Sequence, residues 1–196
     1  MAKDNVITID GDKLLKGLEN LNQKDVEIKS ASLKDALCSY SYELVNGVSK
    51  GDTLVHRGAH IIHDDLENAM NSLDVFFAHL DDAFTGIKNS TPLSDLEQDV
   101  DVEKYHVTGF TLSGVEENKS IILQGWKEVT EGIVKYPSPK IKISSKYVYL
   151  TEFIERINNV IDEVEQYRNG KTAPQPEQIH MTFAEEDDSF DKGKVE

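Results

Sequence analysis

Two apolar stripes at helical spacing dominate this chain, and each follows a run of short alternating segments. Leu66, Ala69, Met70, Leu73, Phe76, Phe77, Leu80 and Phe84 recur every three or four residues, which predicts one helix of about five turns with a single apolar face. Leu150, Phe153, Ile154, Ile157, Val160, Ile161 and Val164 repeat the pattern before Asn169-Gly170, a helix stop, and predict a second helix over about Tyr147 to Arg168. Stripes of this width must lie against a sheet or another helix.

Ahead of the first helix, Val26 to Lys29, Cys38 to Leu44 and Thr53 to His56 read as strands. Tyr40, Tyr42 and Leu44 share one face, and Asn46-Gly47 closes the second strand. Arg57-Gly58 then reads as the passage into the helix. After it, Gly86 and the acidic stretch Asn89 to Glu103 read as a stop and an exposed crossover. Lys104 to Ser113, Ser120 to Val129 and Ile133 to Ser144 follow as strands, the last interrupted by Pro137-Ser138-Pro139 and therefore broken or at an edge. Runs of strands separated by lone helices do not give the regular alternation of a doubly wound parallel sheet. The expected fold is α+β, an antiparallel sheet with two long helices on one face, organised as a β-β-β-α plan used twice without a residue-level repeat. A short strand at Val6 to Ile9 and a brief helix over Lys13 to Asn22 are expected to precede it.

The 196 residues suit one domain, placed over residues 1–171, followed by a proline-containing linker and a disordered acidic tail over residues 172–196. Pro174 and Pro176 cannot continue a helix, and the tail has no apolar periodicity with which to build a core. Glu185, Glu186, Asp187, Asp188 and Phe190 suit capture by a basic, apolar groove on a protein partner, or competition with nucleic acid for the domain's own basic surface. A solvated end without a role is the plainer alternative.

The net charge of -15 argues against a whole-protein footprint for DNA or an anionic membrane. Only residues 104–146 are basic, with 7 Lys and Arg against 4 Asp and Glu. There Lys119, Lys127, Lys135, Lys140 and Lys142 interleave with Trp126 and Tyr136, and the alternation Lys140-Ile141-Lys142-Ile143 puts both lysines opposite the isoleucines. Lysines that neutralise phosphates beside rings that stack on unpaired bases are the chemistry of single-stranded nucleic-acid binding. The same alternation also describes the ordinary solvent face of an edge strand.

Other chemistries find less support. His56, His60 and His63 have metal-like spacing if they share a helix, but Gly58 interrupts it, so no metal site is expected. There is no G-x-x-x-x-G-K-[ST] or H-E-x-x-H pattern; neither catalysis nor a cofactor is expected. Cys38 is the sole cysteine and reads as a small core residue. No apolar run approaches a bilayer span, and a reducing cytoplasm is the expected setting. The sequence leaves self-association open.

Two stretches, Val55-His56 through His63-Asp64-Asp65-Leu66-Glu67-Asn68-Ala69-Met70 to Phe77-Ala78-His79-Leu80, and Val107-Thr108-Gly109-Phe110-Thr111-Leu112-Ser113-Gly114 leading to Gly125, together with the helix from Tyr149 to Tyr167, resemble small proteins of unknown function encoded by bacteriophages and prophages. The resemblance implies a setting in a bacterial host cell and no catalytic residue. In phage DNA metabolism, the layout is similar to that of single-stranded DNA-binding proteins, whose acidic tails finish at or near an aromatic; here Phe190 stands six residues before the end. The leading expectation is a non-enzymatic single-stranded nucleic-acid-binding accessory protein. The alternative is an acidic protein-interaction module that mimics nucleic acid to inhibit a host protein.

Overall fold

The computed structural model describes residues 26–84, 91–115 and 118–174. The strand and helix expected within residues 6–22, and the tail with Phe190, lie outside the described residues. In chain order the elements are β1 (Val26–Lys34), β2 (Leu37–Leu44), β3 (Thr53–Ile61), α1 (Asp64–Asn71), α2 (Asp74–Leu80), α3 (Leu93–Leu96), a 3₁₀ turn (Val102–Lys104), β4 (Tyr105–Ser113), β5 (Ser120–Val129), β6 (Gly132–Pro137), β7 (Ile141–Lys142) and α4 (Leu150–Arg168).

The strands form one antiparallel sheet in the order β3-β2-β1-β4-β5-β6, with β7 paired to the start of β5. Two three-stranded meanders therefore meet through their first strands, and helices follow each meander, so the topology repeats β-β-β-α. Ile28, Ala31, Cys38, Tyr40, Tyr105, Val107, Phe110, Ile121 and Leu123 point from the sheet into the core, where they meet α1, α2 and α4. Phe76 and Phe153 pack edge to face with centroids 5.2 Å apart, which joins the first helical unit to α4. Each large apolar side chain buried in this way contributes about 1.5–3 kcal/mol.

The first long helix is two shorter ones, with the break at Ser72 and Leu73. The Ser72 hydroxyl donates back to the Ala69 carbonyl (2.6 Å), while Arg156 of α4 donates to the Ser72 carbonyl (2.7 Å). These bonds take polar groups out of the helical ladder and bend the chain. The apolar stripe survives because Leu66, Met70, Leu73, Phe76 and Phe77 all remain buried.

β1 and β2 also run longer than their alternation suggested, joined by a two-residue turn in which Asp35 and Ala36 have φ of +53° and +59°. That is the left-handed geometry favoured by the right-handed strand twist. Gly58 is not a passage into helix: β3 continues to Ile61, and a Cβ at Gly58 would strike the Tyr167 hydroxyl and the Cys38 carbonyl. Tyr167 crosses the strand there, and its hydroxyl donates to the His60 carbonyl (2.6 Å). Thr172 bridges Ile62, and the Ala173 amide donates to the Ile61 carbonyl (2.9 Å), so the ordered pairing extends into the first linker residues.

The prolines act at the edge as expected. β6 stops at Pro137, and buried Ser138 exchanges hydrogen bonds with Leu123, its amide donating to the Leu123 carbonyl (2.8 Å) and its hydroxyl accepting from the Leu123 amide (3.0 Å). Those two bonds replace ladder contacts that the flanking prolines cannot make.

Candidate nucleic-acid interface

Pleating decides where the basic segment's side chains go. Along β5, Ile121, Leu123 and Gly125 face the helices, so Ile122, Gln124 and Trp126 face the opposite side, which no described helix covers. Trp126 lies opposite His106 on β4 and Lys135 on β6. The indole and imidazole rings are 4.0 Å apart with planes inclined by 34°, and His106 is 38% exposed. Lys135 is exposed and takes no ion pair among the described residues, and exposed Lys142 is paired with Ser120 toward the other end of β5.

Elsewhere on this face small hydroxyl side chains meet across the strands. Ser30 and Ser41 share a hydrogen bond (2.7 Å), as do Ser113 and Ser120 (3.0 Å), and Gln124 donates to Thr111 (3.1 Å). The result is a face of short polar side chains with an aromatic pair and, at its β5-β6-β7 border, ammonium groups that take no ion pair among the described residues.

The other sequence candidates lie elsewhere. Lys127 is on the helix-facing side, 2.9 Å from the Asp81 carboxylate and 4.7 Å from the centre of the Tyr105 ring. Contacts with the Tyr105 hydroxyl and Asp81 hold its pKa above that of an ordinary lysine. Burial opposes ionisation of Asp81, but hydrogen bonds from Lys127 and Tyr105 outweigh it and keep its pKa low. Tyr136 stacks on Phe77 with centroids 4.9 Å apart. Its hydroxyl is buried, and the pKa is raised by that burial and by the Asp81 charge. Lys119 bonds Glu27 (3.2 Å), and Lys140 is exposed between β6 and β7. Of the seven residues proposed from sequence, the structure thus groups Trp126, Lys135 and Lys142 on the open face and directs Lys127 and Tyr136 inward. His106 joins the site unforeseen; its place between inward-facing Tyr105 and Val107 is the alternation that signals it.

Beneath His106, Asp74 at the start of α2 accepts the Val107 amide (2.6 Å), and its second oxygen is 3.9 Å from His106 Nδ1. Burial raises the Asp74 pKa to about 7 against the opposing effect of the Val107 hydrogen bond. This carboxyl satisfies the β4 edge where its pairing with β1 has stopped.

The histidine trio disperses. His56 packs on Tyr40 with ring centres 5.0 Å apart, His60 continues β3, and His63 caps α1 by accepting the Asp65 amide (3.2 Å). Among the described residues, no three His, Cys, Asp or Glu side chains form a metal-binding group. Cys38 is buried, with its thiol pKa pushed up to about 12 by burial. No described helix is long and apolar enough to cross a membrane. No family model, curated protein or solved structure matches the chain.

Proposed function

We propose that the chain is a non-enzymatic accessory protein that binds single-stranded nucleic acid on the open face of its sheet, in the setting of phage DNA metabolism. The observation carrying this reading is the half-exposed Trp126–His106 pair on a sheet face that no described helix covers, directly beside Lys135, which takes no ion pair among the described residues. An unpaired base stacks on such rings at about 1–3 kcal/mol per base, while Lys135 and Lys142 neutralise phosphates along β5. Six residues separate Trp126 from the Ser120 opposite Lys142, which at about 3.4 Å per residue gives a track roughly 20 Å long. Between them on the same face lie Ile122 and Gln124, the latter donating to Thr111. The tail beyond residue 174, with a net charge of -5, competes with the strand for the same lysines.

Trp126 is the sole tryptophan, so its emission reports the site directly. Titration with oligo(dT) at low salt should quench it and raise the anisotropy of a labelled strand. Trp126→Ala should weaken binding by roughly 5- to 160-fold, the worth of one stacked base. Lys135→Ala should flatten the log–log salt slope by about 0.7, whereas inward-facing Lys127→Ala should leave it unchanged. Deleting residues 174–196 should strengthen binding most at low ionic strength. Absence of binding at low salt for both the full and tail-deleted chains would replace this reading with the acidic interaction module.

A further inference from the structure

The sheet parts at its centre. β1 and β4 pair only at Ser30–Thr111, Ala31–Phe110 and Ser32–Gly109, although β1 stays paired to β2 as far as Val26 and β4 stays paired to β5 as far as Ser113. Beyond Ser30 and Thr111 a cavity of about 310 Å³ lies between the diverging strands and α4. Its apolar walls include Ile28, Ile121, Ile143, Ile154, Ile157 and Ile161, and no aromatic side chain lines it among the described residues.

An ion-pair chain borders this space. Glu43 and Lys29 are 3.0 Å apart, Lys29 and Glu27 2.7 Å, and Glu27 and Lys119 3.2 Å, the last contact joining the two lips. Glu165 also lines the cavity. Asn158 lines it from α4, and its Oδ1 atom is buried without a hydrogen-bond partner.

We propose that this cavity is a binding site for one aliphatic chain with a neutral or cationic hydrogen-bond-donating head, the chemistry of a fatty alcohol or alkylamine. Branched aliphatic walls offer dispersion contacts to a flexible chain and no ring face on which a planar ligand would stack. The volume holds roughly ten methylenes if each displaces about as much space as a water molecule, ~30 Å³. The head donates to Asn158 Oδ1, giving a buried acceptor its missing partner. A carboxylate head instead brings only acceptors to a buried acceptor and leaves it without a partner. This site is independent of the nucleic-acid reading.

Isothermal titration of the full chain with 1-octanol, octylamine and octanoate tests the assignment, these ligands being short enough to remain monomeric. The alcohol and amine should bind one to one, with octanoate at least about tenfold weaker, a difference of roughly 1.4 kcal/mol. Asn158→Leu keeps the aliphatic wall and removes the acceptor; it should weaken octanol binding about three- to tenfold, the worth of one hydrogen bond. Ile157→Trp should block the cavity, and oligo(dT) titration of Asn158→Leu should be unchanged. No binding of any ligand near 1 mM, octanoate binding as tightly as octanol, or an unaltered octanol affinity in Asn158→Leu would each overturn the proposal.

Discussion

Replacing Asp74 with asparagine should stabilise the protein at alkaline pH and do progressively less as pH falls. The carboxyl is 14% exposed, and burial lifts its pKa from 3.8 to about 7. A raised carboxyl pKa means that the folded chain holds the proton more tightly than the unfolded chain. Stability is therefore fully present below pH 3.8 and declines as pH rises toward 7. At 1.36 kcal/mol per unit, the loss between pH 5 and pH 8 is about 2–3 kcal/mol, since the shift below pH 5 has already been spent. Asparagine resembles the protonated acid and can still accept the Val107 amide, so Asp74→Asn removes this dependence. Urea unfolding of both proteins at pH 5, 6, 7 and 8 measures it. His79, whose pKa burial lowers, titrates in both proteins and cancels in the difference. The expected gap between variant and parent widens by about 2–3 kcal/mol across that range, or roughly 4–12 °C in Tm. Parallel stability curves, within about 0.5 kcal/mol, would show that Asp74 ionises as an ordinary surface carboxylate and refute the reasoning.

Three glycine-related substitutions probe the backbone by chemical denaturation. Ala36→Gly should stabilise the β1–β2 hairpin by about 1 kcal/mol, because alanine at φ +59° carries a left-handed penalty that glycine does not. Gly58→Ala should cost at least about 2 kcal/mol, since the new Cβ meets both the Tyr167 hydroxyl and a strand carbonyl; no loss would mean that Tyr167 does not cross β3. Gly109→Ala should cost a similar ~2 kcal/mol by forcing the Ala31 carbonyl away at the central strand pair, and an unchanged midpoint would indicate a looser seam.

The fold was legible where a single periodicity governed burial. The Leu150 to Val164 stripe becomes the inner face of α4, and the three segments from Lys104 onward become β4, β5 and the broken edge. It was less legible where tertiary contacts override local pattern. Nothing in the run Leu66 to Phe84 announces that Arg156, 84 residues after Ser72, bonds its carbonyl at the helix break. Asp35-Ala36 lacks the glycine that usually marks a left-handed turn, which concealed half of β1. Gly58 looked like punctuation because a close crossing by Tyr167 leaves no local mark. At the candidate site, composition identified a basic, aromatic segment, whereas the period-two pleat determines which of its members share a surface. Trp126 and Lys127 are adjacent in sequence and emerge on opposite faces; Trp126 and Lys135 are nine residues apart and lie side by side.

The duplicated topology accounts for both candidate surfaces. When each β-β-β-α unit covers the same side of a joint sheet, no described helix covers the opposite side, where Trp126 lies. Joining the units through β1 and β4 makes the central seam an interface between two locally complete meanders, and their internal ladders do not require that seam to be paired throughout. Gly109 allows close approach where Ala31 crosses it, and past Thr111 the strands follow their own meanders apart, leaving α4 to back the gap. A sheet with a continuous first-strand pairing would close the isoleucine cavity while leaving the open face intact. The two sites therefore arise from one architectural choice yet depend on different parts of it, the face on the one-sided placement of helices and the cavity on the short seam.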